Sequence, residues 1–202
     1  MTDLAAVFAQ KASLVSAVVH RAVSRAEAFD RAVSLLQNSV PMTPQMSNPL
    51  LPSAGAKEAA ARVMAAPNLG TADFRYLSQA CDTAGNIQLL QNGMRDYPGG
   101  IDMGLTWAEY GIADTGTLVI ASDSEEIRLA TMLCEVHVAV LNVSDIRPSA
   151  DDMVEELSAM TARTGSYTAF ITGASRTADI ERVLAIGVHG PLELHIILVE
   201  EE

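Results

Sequence analysis

Apolar residues recur at helical spacing through the first part of the chain. They return every three or four positions with arginines on the other faces, which predicts an amphipathic helix over residues 4–36. Four of the eight prolines follow within residues 39–55, which predicts an irregular connection. Two shorter helices are predicted after it. The first spans residues 56–66, and the second runs from a cap at Asn68 to just before Gly85.

The second half of the chain alternates short apolar runs with helical segments. Strands are predicted at 87–90, 117–121, 137–143, 167–172 and 192–199. Helices are predicted through residue 132 after a capping box at 122–125, from Ser149 to residue 163, and over 177–186. Nearly continuous apolar strands separated by helices indicate parallel pairing with crossover connections. We therefore predict a three-layer α/β/α fold with a mostly parallel sheet. In this interpretation residues 1–55 form a helical N-terminal segment and connection, and residues 56–202 form the α/β domain.

Composition adds a charge pattern to this outline. Hydrophobic residues make up 49% of the 202 residues and aromatic residues only 4%, so the core must be aliphatic. The net charge is -12, and residues 111–202 contain five arginines, no lysine and sixteen acidic residues. Such a field repels nucleic-acid backbones and anionic lipid, which argues against either as a partner. The missing lysines exclude Schiff-base chemistry from this half.

The two cysteines, Cys81 and Cys134, form no CxxC motif. They cannot supply a four-thiolate iron–sulfur or zinc site by themselves, and we interpret them as reduced thiols. No HxxH or HExxH motif occurs, so no metal site is predicted in this chain. No apolar run reaches the ~18 residues of a membrane span, and the start of the sequence lacks a secretory-signal pattern. These features predict a cytoplasmic protein without a membrane span.

One candidate site follows the strand predicted to end at Thr172. Gly173 permits a tight turn, and Ser175, Arg176 and Thr177 then lead into a predicted helix. Free N–H groups at a helix start, beside hydroxyls and a guanidinium, can hold a phosphate or a carboxylate. In an open α/β sheet such a loop lies at the carboxyl edge of the strands, where ligands usually bind. The alternative is a plain helix cap with a surface arginine.

A second candidate segment directly precedes a predicted strand. It consists of Asp114, Thr115, Gly116 and Thr117. Polar side chains around one conformationally permissive glycine can line a pocket or hold a ligand hydroxyl. The alternative is a β-turn in which the aspartate and threonine bond to their own backbone. Local chemistry does not decide between these two interpretations, so both stay open from the sequence.

The third candidate is a histidine in a glycine-containing loop. His189 directly precedes Gly190, where an imidazole that faces solvent or a ligand is more plausible than a buried one. It is therefore the histidine that we select for acid–base chemistry. His137 and His195 lie in predicted strands and are interpreted as structural, while His20 falls within the predicted N-terminal helix.

Three segments together resemble the signature of a known family. Residues 111–120, 171–181 and 187–199 occur in the order and spacing of the LUD domain family, that is, lactate-utilisation protein C (LutC/YkgG). The resemblance implies a NagB/RpiA/CoA-transferase-like fold and a role in oxidising L-lactate to pyruvate. It also implies partner subunits that carry iron–sulfur clusters, since this chain has no cysteine motif for one.

Several functions are compatible with this resemblance. In a substrate-binding or catalytic subunit, Arg176 would pair with the lactate carboxylate, Asp114 or Thr115 would hold its hydroxyl, and His189 would take its proton. Electrons would leave to a cofactor on a partner. Alternatively, the chain is a non-catalytic assembly or regulatory subunit that docks on a partner, or on a second copy, through its N-terminal helix. A sugar-phosphate or CoA-ester enzyme is a third possibility, although the sequence shows no obvious catalytic glutamate motif.

Overall fold

The structure is a computed structural model that describes residues 3–39, 61–97, 100–162, 164–178, 184–186 and 190–200. The helices in these ranges are α1 (Leu4–Leu14), α2 (Arg25–Asn38), α3 (Thr71–Ala84), α4 (Glu125–Met132) and α5 (Val154–Thr161). The strands are β1 (Ala17–Ala22), β2 (Arg62–Ala65), β3 (Ile87–Leu90), β4 (Ile101–Trp107), β5 (Tyr110–Ile112), β6 (Thr117–Ala121), β7 (Cys134–Asn142), β8 (Ile146–Arg147), β9 (Thr168–Ile171), β10 (Arg176–Ala178), β11 (Leu184–Ile186) and β12 (Glu193–Val199).

Six parallel strands form the central sheet in the order β1-β12-β7-β4-β2-β3. The middle strands β4, β7 and β12 are buried along most of their length, as parallel strands covered on both faces must be. Helices α2 and α3 cover one face. Helices α1 and α4, together with a second sheet in the order β8-β5-β6-β9, cover the other. The predicted mostly parallel α/β sheet is therefore confirmed.

The single helix predicted over residues 4–36 is wrong, because the structure divides this segment into α1, β1 and α2. Ser16 adopts a left-handed backbone conformation with φ of 66°, which ends α1 and turns the chain into β1. That strand gains a full parallel ladder to β12, which outweighs its helical spacing. Helix α2 then starts at a variant of the capping box, in which the glutamate binds the N–H of the residue before the N-cap. Ser24 Oγ accepts from the Glu27 N–H at 3.3 Å, and Glu27 Oε2 accepts from the Val23 N–H at 2.8 Å.

Two other predicted helices are also wrong. Residues 62–65 form β2, which lies between β3 and β4 in the sheet, and residues 56–60 are outside the described ranges. The helix predicted over 177–186 is replaced by β10 and β11, which pair with each other in antiparallel orientation. In both cases pairing with another strand overrides the local helical spacing. The central strand β4 was not predicted, since its sequence contains Asp102 and Gly104 among the apolar residues.

Several predicted elements lie where the sequence placed them. Helix α3 ends at Gly85, which has φ of 70°, and β3 has its predicted bounds. Helix α4 is confirmed, although Ser124 rather than Ser122 caps it by accepting from the Ile127 N–H at 3.3 Å. Strands β6 and β9 are confirmed as strands, but they pair antiparallel in the second sheet. Because β9 lies in the second sheet rather than in the parallel one, it forms one wall of the candidate site.

Candidate functional site

A half-open cavity of about 430 Å³ lies between α4, β9 and the amino-terminal halves of β7 and β12. Its polar lining residues are Ser122, Arg128, Thr131, His137, Thr172 and Ser175. Its larger apolar lining residues are Met132, Tyr167, Phe170, Ile171, Pro191 and Leu194. Neither group contains a carboxylate, so the one formal charge among these lining residues is that of Arg128. The prediction that the 172–175 loop lies at the carboxyl edge of the parallel strands is wrong, because β9 belongs to the second sheet.

Arg128 is the cation of this cavity. One Nη1–H donates to the Ser122 carbonyl oxygen at 2.6 Å, and the guanidinium carbon lies 5.8 Å from the centre of the Tyr167 ring. Six other described arginines pair with a carboxylate: Arg21, Arg25, Arg31, Arg62, Arg95 and Arg147. Within the same ranges Arg128 has no ion pair. Its planar fork therefore retains N–H donors that can bind a carboxylate or phosphate.

Ser122 contributes a buried hydroxyl beside this arginine. The residue is 0% exposed, and its Oγ has no hydrogen-bond partner among the residues that the structure describes. Its backbone is fully used, since its N–H donates to the Tyr167 carbonyl at 2.7 Å and its own carbonyl accepts from Arg128. An unsatisfied buried hydroxyl costs about 1–3 kcal/mol.

His137 supplies a neutral imidazole. Its Nε2 lies 2.8 Å from Thr106 Oγ1, and either group can be the donor. Burial lowers the pKa of His137 to about 4, so the ring is uncharged near neutral pH. A base with so low a pKa is a poor general base at pH 7 but a good neutral hydrogen-bonding group. The ring therefore suits a role in orienting a ligand.

Four residues of two predicted segments, the anion site and the His189 loop, line this cavity. They are Thr172, Gly173, Ser175 and Gly190. The Ser175 N–H donates to the Pro191 carbonyl at 3.0 Å, which joins the two loops that carry these residues. The cavity thus brings together two sequence segments that were singled out separately.

The other predicted site residues of these two segments are Arg176, Thr177 and His189. The backbones of Arg176 and Thr177 lie in β10, directly after the cavity loop, but their side chains fall outside the described part. Because no helix starts there, the predicted contribution of free helix N–H groups is wrong. His189 lies outside the described residues, so its acid–base role stays a prediction.

The Asp114–Thr117 turn joins β5 to β6 and does not line the cavity. Asp114 and Thr115 are exposed, whereas Thr117 is buried. Thr117 Oγ1 lies 2.8 Å from Thr115 Oγ1 and 2.7 Å from Thr172 Oγ1. This chain of hydroxyls links the turn to the edge of the cavity. The site roles predicted for Asp114 and Thr115 stay predictions.

Two glycines of the candidate segments lie against the C-terminal end of α1. A Cβ on Gly116 would stand 2.3 Å from the Ala12 nitrogen, and a Cβ on Gly173 would stand 2.2 Å from the Val15 oxygen. Both glycines also have positive φ, of 66° and 78°. Any side chain at either position would displace the helix. These glycines therefore fix the position of the cavity loop against the N-terminal helix.

Sequence reasoning missed Ser122, Arg128 and Thr131 and treated His137 as structural. One signal was present, because Arg128 and Thr131 are three residues apart in a predicted helix and so share a face. That face lies opposite β9, which pairs with β6 in the second sheet, and no local sequence pattern indicated this pairing.

The two cysteines are free and buried away from this chemistry. Burial raises the pKa of Cys81 to about 11 and that of Cys134 to about 12, so both thiols are protonated near neutral pH. No group of three or more potential metal ligands occurs within the described ranges. No helix in those ranges has the length and apolar character needed to cross a membrane.

Comparison with known sequences shows several relatives. Proteins named lactate utilization protein C from Halalkalibacterium halodurans and Bacillus subtilis are 36% and 34% identical to this chain over 103 residues. These alignments cover 50% of this chain and 45% and 43% of those proteins. The Escherichia coli protein YkgG is 33% identical over 49% of this chain and 44% of its own length. The matched stretch is therefore slightly less than half of each of these relatives.

A solved structure shows the same fold. A protein of the DUF162 family from Deinococcus radiodurans superimposes with a TM-score of 0.62 at 18% identity, over 98% of this chain and 99% of that one. A sequence model of the LUD domain matches residues 5–199. Since this match extends over nearly the whole sequence, the chain belongs to the LUD domain family.

Proposed function

We propose that this chain is a component of an L-lactate utilisation system and that it binds a carboxylate or phosphate anion in the cavity beside Arg128. The role in lactate utilisation is supported by the names of its relatives. The binding of an anion is supported by one observation above the others: Arg128 forms no ion pair with a described carboxylate and lines a cavity that no described carboxylate lines.

The lining residues suggest a division of roles. The Arg128 guanidinium would bind the anionic group. Neutral His137 would orient the ligand rather than remove a proton, because its pKa is far below neutrality. If the ligand is lactate, its oxidation to pyruvate releases two protons and two electrons in total. His189 is the sequence-predicted residue for the proton transfer, Asp114 or Thr115 is the residue predicted to hold the hydroxyl, and the electrons would leave to a partner.

We propose iron–sulfur subunits as those partners, since the protonated thiols of Cys81 and Cys134 are poor cluster ligands. The test is affinity purification of the tagged chain from lactate-grown cells of its own host, with iron content and co-purifying proteins measured. We expect cysteine-rich, iron-containing partners that are absent from a mock-tagged control. Recovery of the chain alone and free of iron under these conditions would contradict the proposal.

The non-catalytic assembly subunit is the second candidate, and the glycine contacts favour it. Gly116 and Gly173 position loops against α1, which explains two candidate motifs without any ligand. Deletion of residues 1–36 cannot separate the candidates, because β1 is part of the central sheet. A homodimer would need other surfaces than the apolar faces of α1 and α2, which are buried within this chain. Arg128→Gln separates them, since only the anion-binding role requires the guanidinium.

A further inference from the structure

We infer that the preferred ligand of the cavity is an amphipathic organic anion, whose acidic group binds at Arg128 and whose apolar body lies along β9 and the end of α4. This inference rests on the proposed anion binding and specifies the chemical class of the anion. Lactate or inorganic phosphate would occupy the polar end alone.

The first argument is size. The cavity volume of about 430 Å³ is within the range of roughly 300–1,000 Å³ found for pockets that enclose drug-sized ligands. A three-carbon acid with its carboxylate at Arg128 would fill a small part of this space. A ligand that matches the cavity must therefore extend well beyond its acidic group.

The second argument is the chemistry of the walls. Met132, Tyr167 and Phe170 line the cavity, yet they are 58%, 56% and 53% exposed. Large apolar side chains that are half-exposed side by side at a concave site are typical of binding surfaces. Ile171 and Leu194 continue this apolar lining toward the central sheet. A ligand body that covers these side chains would remove apolar surface from water.

The third argument is the placement of the polar groups. Arg128 and Ser122 are joined by a 2.6 Å hydrogen bond, and the Ser122 hydroxyl is completely buried without a partner in the described ranges. The head-group site is thus the Arg128 guanidinium, held by the Ser122 carbonyl, rather than a polar surface throughout. Because the whole chain carries a net charge of -12, its overall field repels anions. Binding must depend on this local cation together with the apolar contacts.

The test is isothermal titration calorimetry on the full chain with straight-chain carboxylates from butanoate to octanoate, with L-lactate, and with octylamine. Burial of one methylene group is expected to raise affinity about fourfold. We therefore expect affinity to increase with chain length, lactate to bind much more weakly than octanoate, and octylamine not to bind. Arg128→Gln should weaken octanoate binding at least tenfold, whereas the exposed Arg75→Gln should leave it unchanged.

A second pair of variants tests the apolar wall. Phe170→Ala should weaken octanoate binding severalfold and leave lactate binding unchanged, while Leu14→Ala, a truncation at another exposed apolar residue, should change neither. Circular dichroism and melting temperature establish that each variant is folded. Both truncated side chains are more than half exposed, so neither variant is expected to unfold.

The outcomes separate this inference from the proposed function. Equal affinity for short and long carboxylates, lost in Arg128→Gln, would overturn the amphipathic ligand and leave the anion site standing. Binding of octylamine as tight as that of octanoate would also overturn it, since an apolar cleft without charge selection would then suffice. If none of the carboxylates binds, or if Arg128→Gln has no effect, the proposed anion site itself is wrong.

Discussion

The two faces of the central sheet are built from alternate residues of the same strands, yet they bury different chemistry. Toward α2 and α3 the strands present Met103, Leu105, Val136 and Val138, which join one continuous apolar cluster. Toward α4 and the second sheet the intervening positions include Gly104, Thr106 and His137. On the first face, helices α2 and α3 cover the sheet with apolar side chains. On the second, a hydroxyl, an imidazole and a cavity lie where apolar packing would be more stable.

The two faces of the central sheet therefore contribute differently: one mainly stabilises the fold, and the other carries the candidate binding site. The α2/α3 face consists largely of aliphatic and aromatic side chains whose burial stabilises the fold, with a polar contact near the β1 edge, where His20 Nε2 lies 3.0 Å from His195 Nδ1. The opposite face also has an apolar cluster, but beside it lie the buried Thr106–His137 pair and the Ser122 hydroxyl, which has no partner in the described ranges. Such buried polar groups reduce stability unless something else satisfies them. Polar groups retained at this cost are more typical of a binding site than of a core.

The largest expected effect comes from adjacent residues of β4 that point to opposite faces. Leu105→Ala should lower the free energy of unfolding by about 2–5 kcal/mol, because it leaves a cavity in the α2/α3 cluster. Thr106→Val keeps the shape and removes the bond to His137, so we expect a loss of only about 1–3 kcal/mol. Urea denaturation measures both. A larger loss for Thr106→Val would contradict the assignment of the two faces.

The next effect is the pH dependence that His137 confers. Its pKa is lowered from 6.5 to about 4 in the folded chain, so between these values the unfolded chain binds a proton that the folded chain does not. Stability should therefore fall as pH decreases from 6.5 to 4, by up to about 3 kcal/mol, and this dependence should level off below pH 4.

Denaturation of the wild type and of His137→Gln at several pH values measures this contribution. The variant should show a smaller slope over the same interval. His20→Gln is measured beside it, because burial also lowers the pKa of His20 and this residue contributes to the slope over the same pH range. Identical pH curves for the wild type and His137→Gln would show that the imidazole is not buried in neutral form.

A smaller effect distinguishes two serines at the start of α4. Ser124→Ala removes a helix cap and should cost about 1 kcal/mol without changing anion affinity. Ser122→Ala removes a buried hydroxyl that bonds to no described residue, so stability should be unchanged or slightly increased. Melting temperature and calorimetry check the pair. A loss of stability in Ser122→Ala greater than that in Ser124→Ala would show that the Ser122 hydroxyl does have a hydrogen-bond partner in the folded chain.

The last prediction is that neither thiol reacts in the folded chain. The two thiols lie on opposite sides of the sheet. Cys81 lies in the α2/α3 cluster and Cys134 packs near Gly104, and burial raises both pKa values. Iodoacetamide at pH 7.5 should label neither cysteine in the folded chain and both after denaturation. Mass spectrometry counts the labels. Rapid labelling of one thiol in the folded chain would contradict its burial.

Much of the fold follows from the sequence, because buried parallel strands such as β7 and β12 are continuous apolar runs. The errors share one cause. In β1, β2 and β10 the local spacing is compatible with a helix, and only pairing with a distant strand decides otherwise. Strand β4 was missed because Gly104 replaces an apolar residue, and that glycine is required where the Ala130 carbonyl of α4 approaches the sheet.

Only part of the candidate site was predictable, because local patterns show single segments and not the elements that meet in the folded chain. Thr172, Gly173 and Ser175 were identified because turn residues after a strand are visible in one segment. Arg128 and His137 lie on α4 and β7, which pack against each other, and the cavity between them is closed by β9, which pairs with β6 in the second sheet. Their shared cavity is a property of the tertiary structure and has no local pattern.

The measurement that tests the central claim most directly is growth of the native host on L-lactate after its own copy of this chain is replaced. The wild type and Arg75→Gln should both restore growth. Arg128→Gln should fail to do so while accumulating to the same level on immunoblots. Full growth with Arg128→Gln on lactate would contradict a role for the cavity in lactate utilisation.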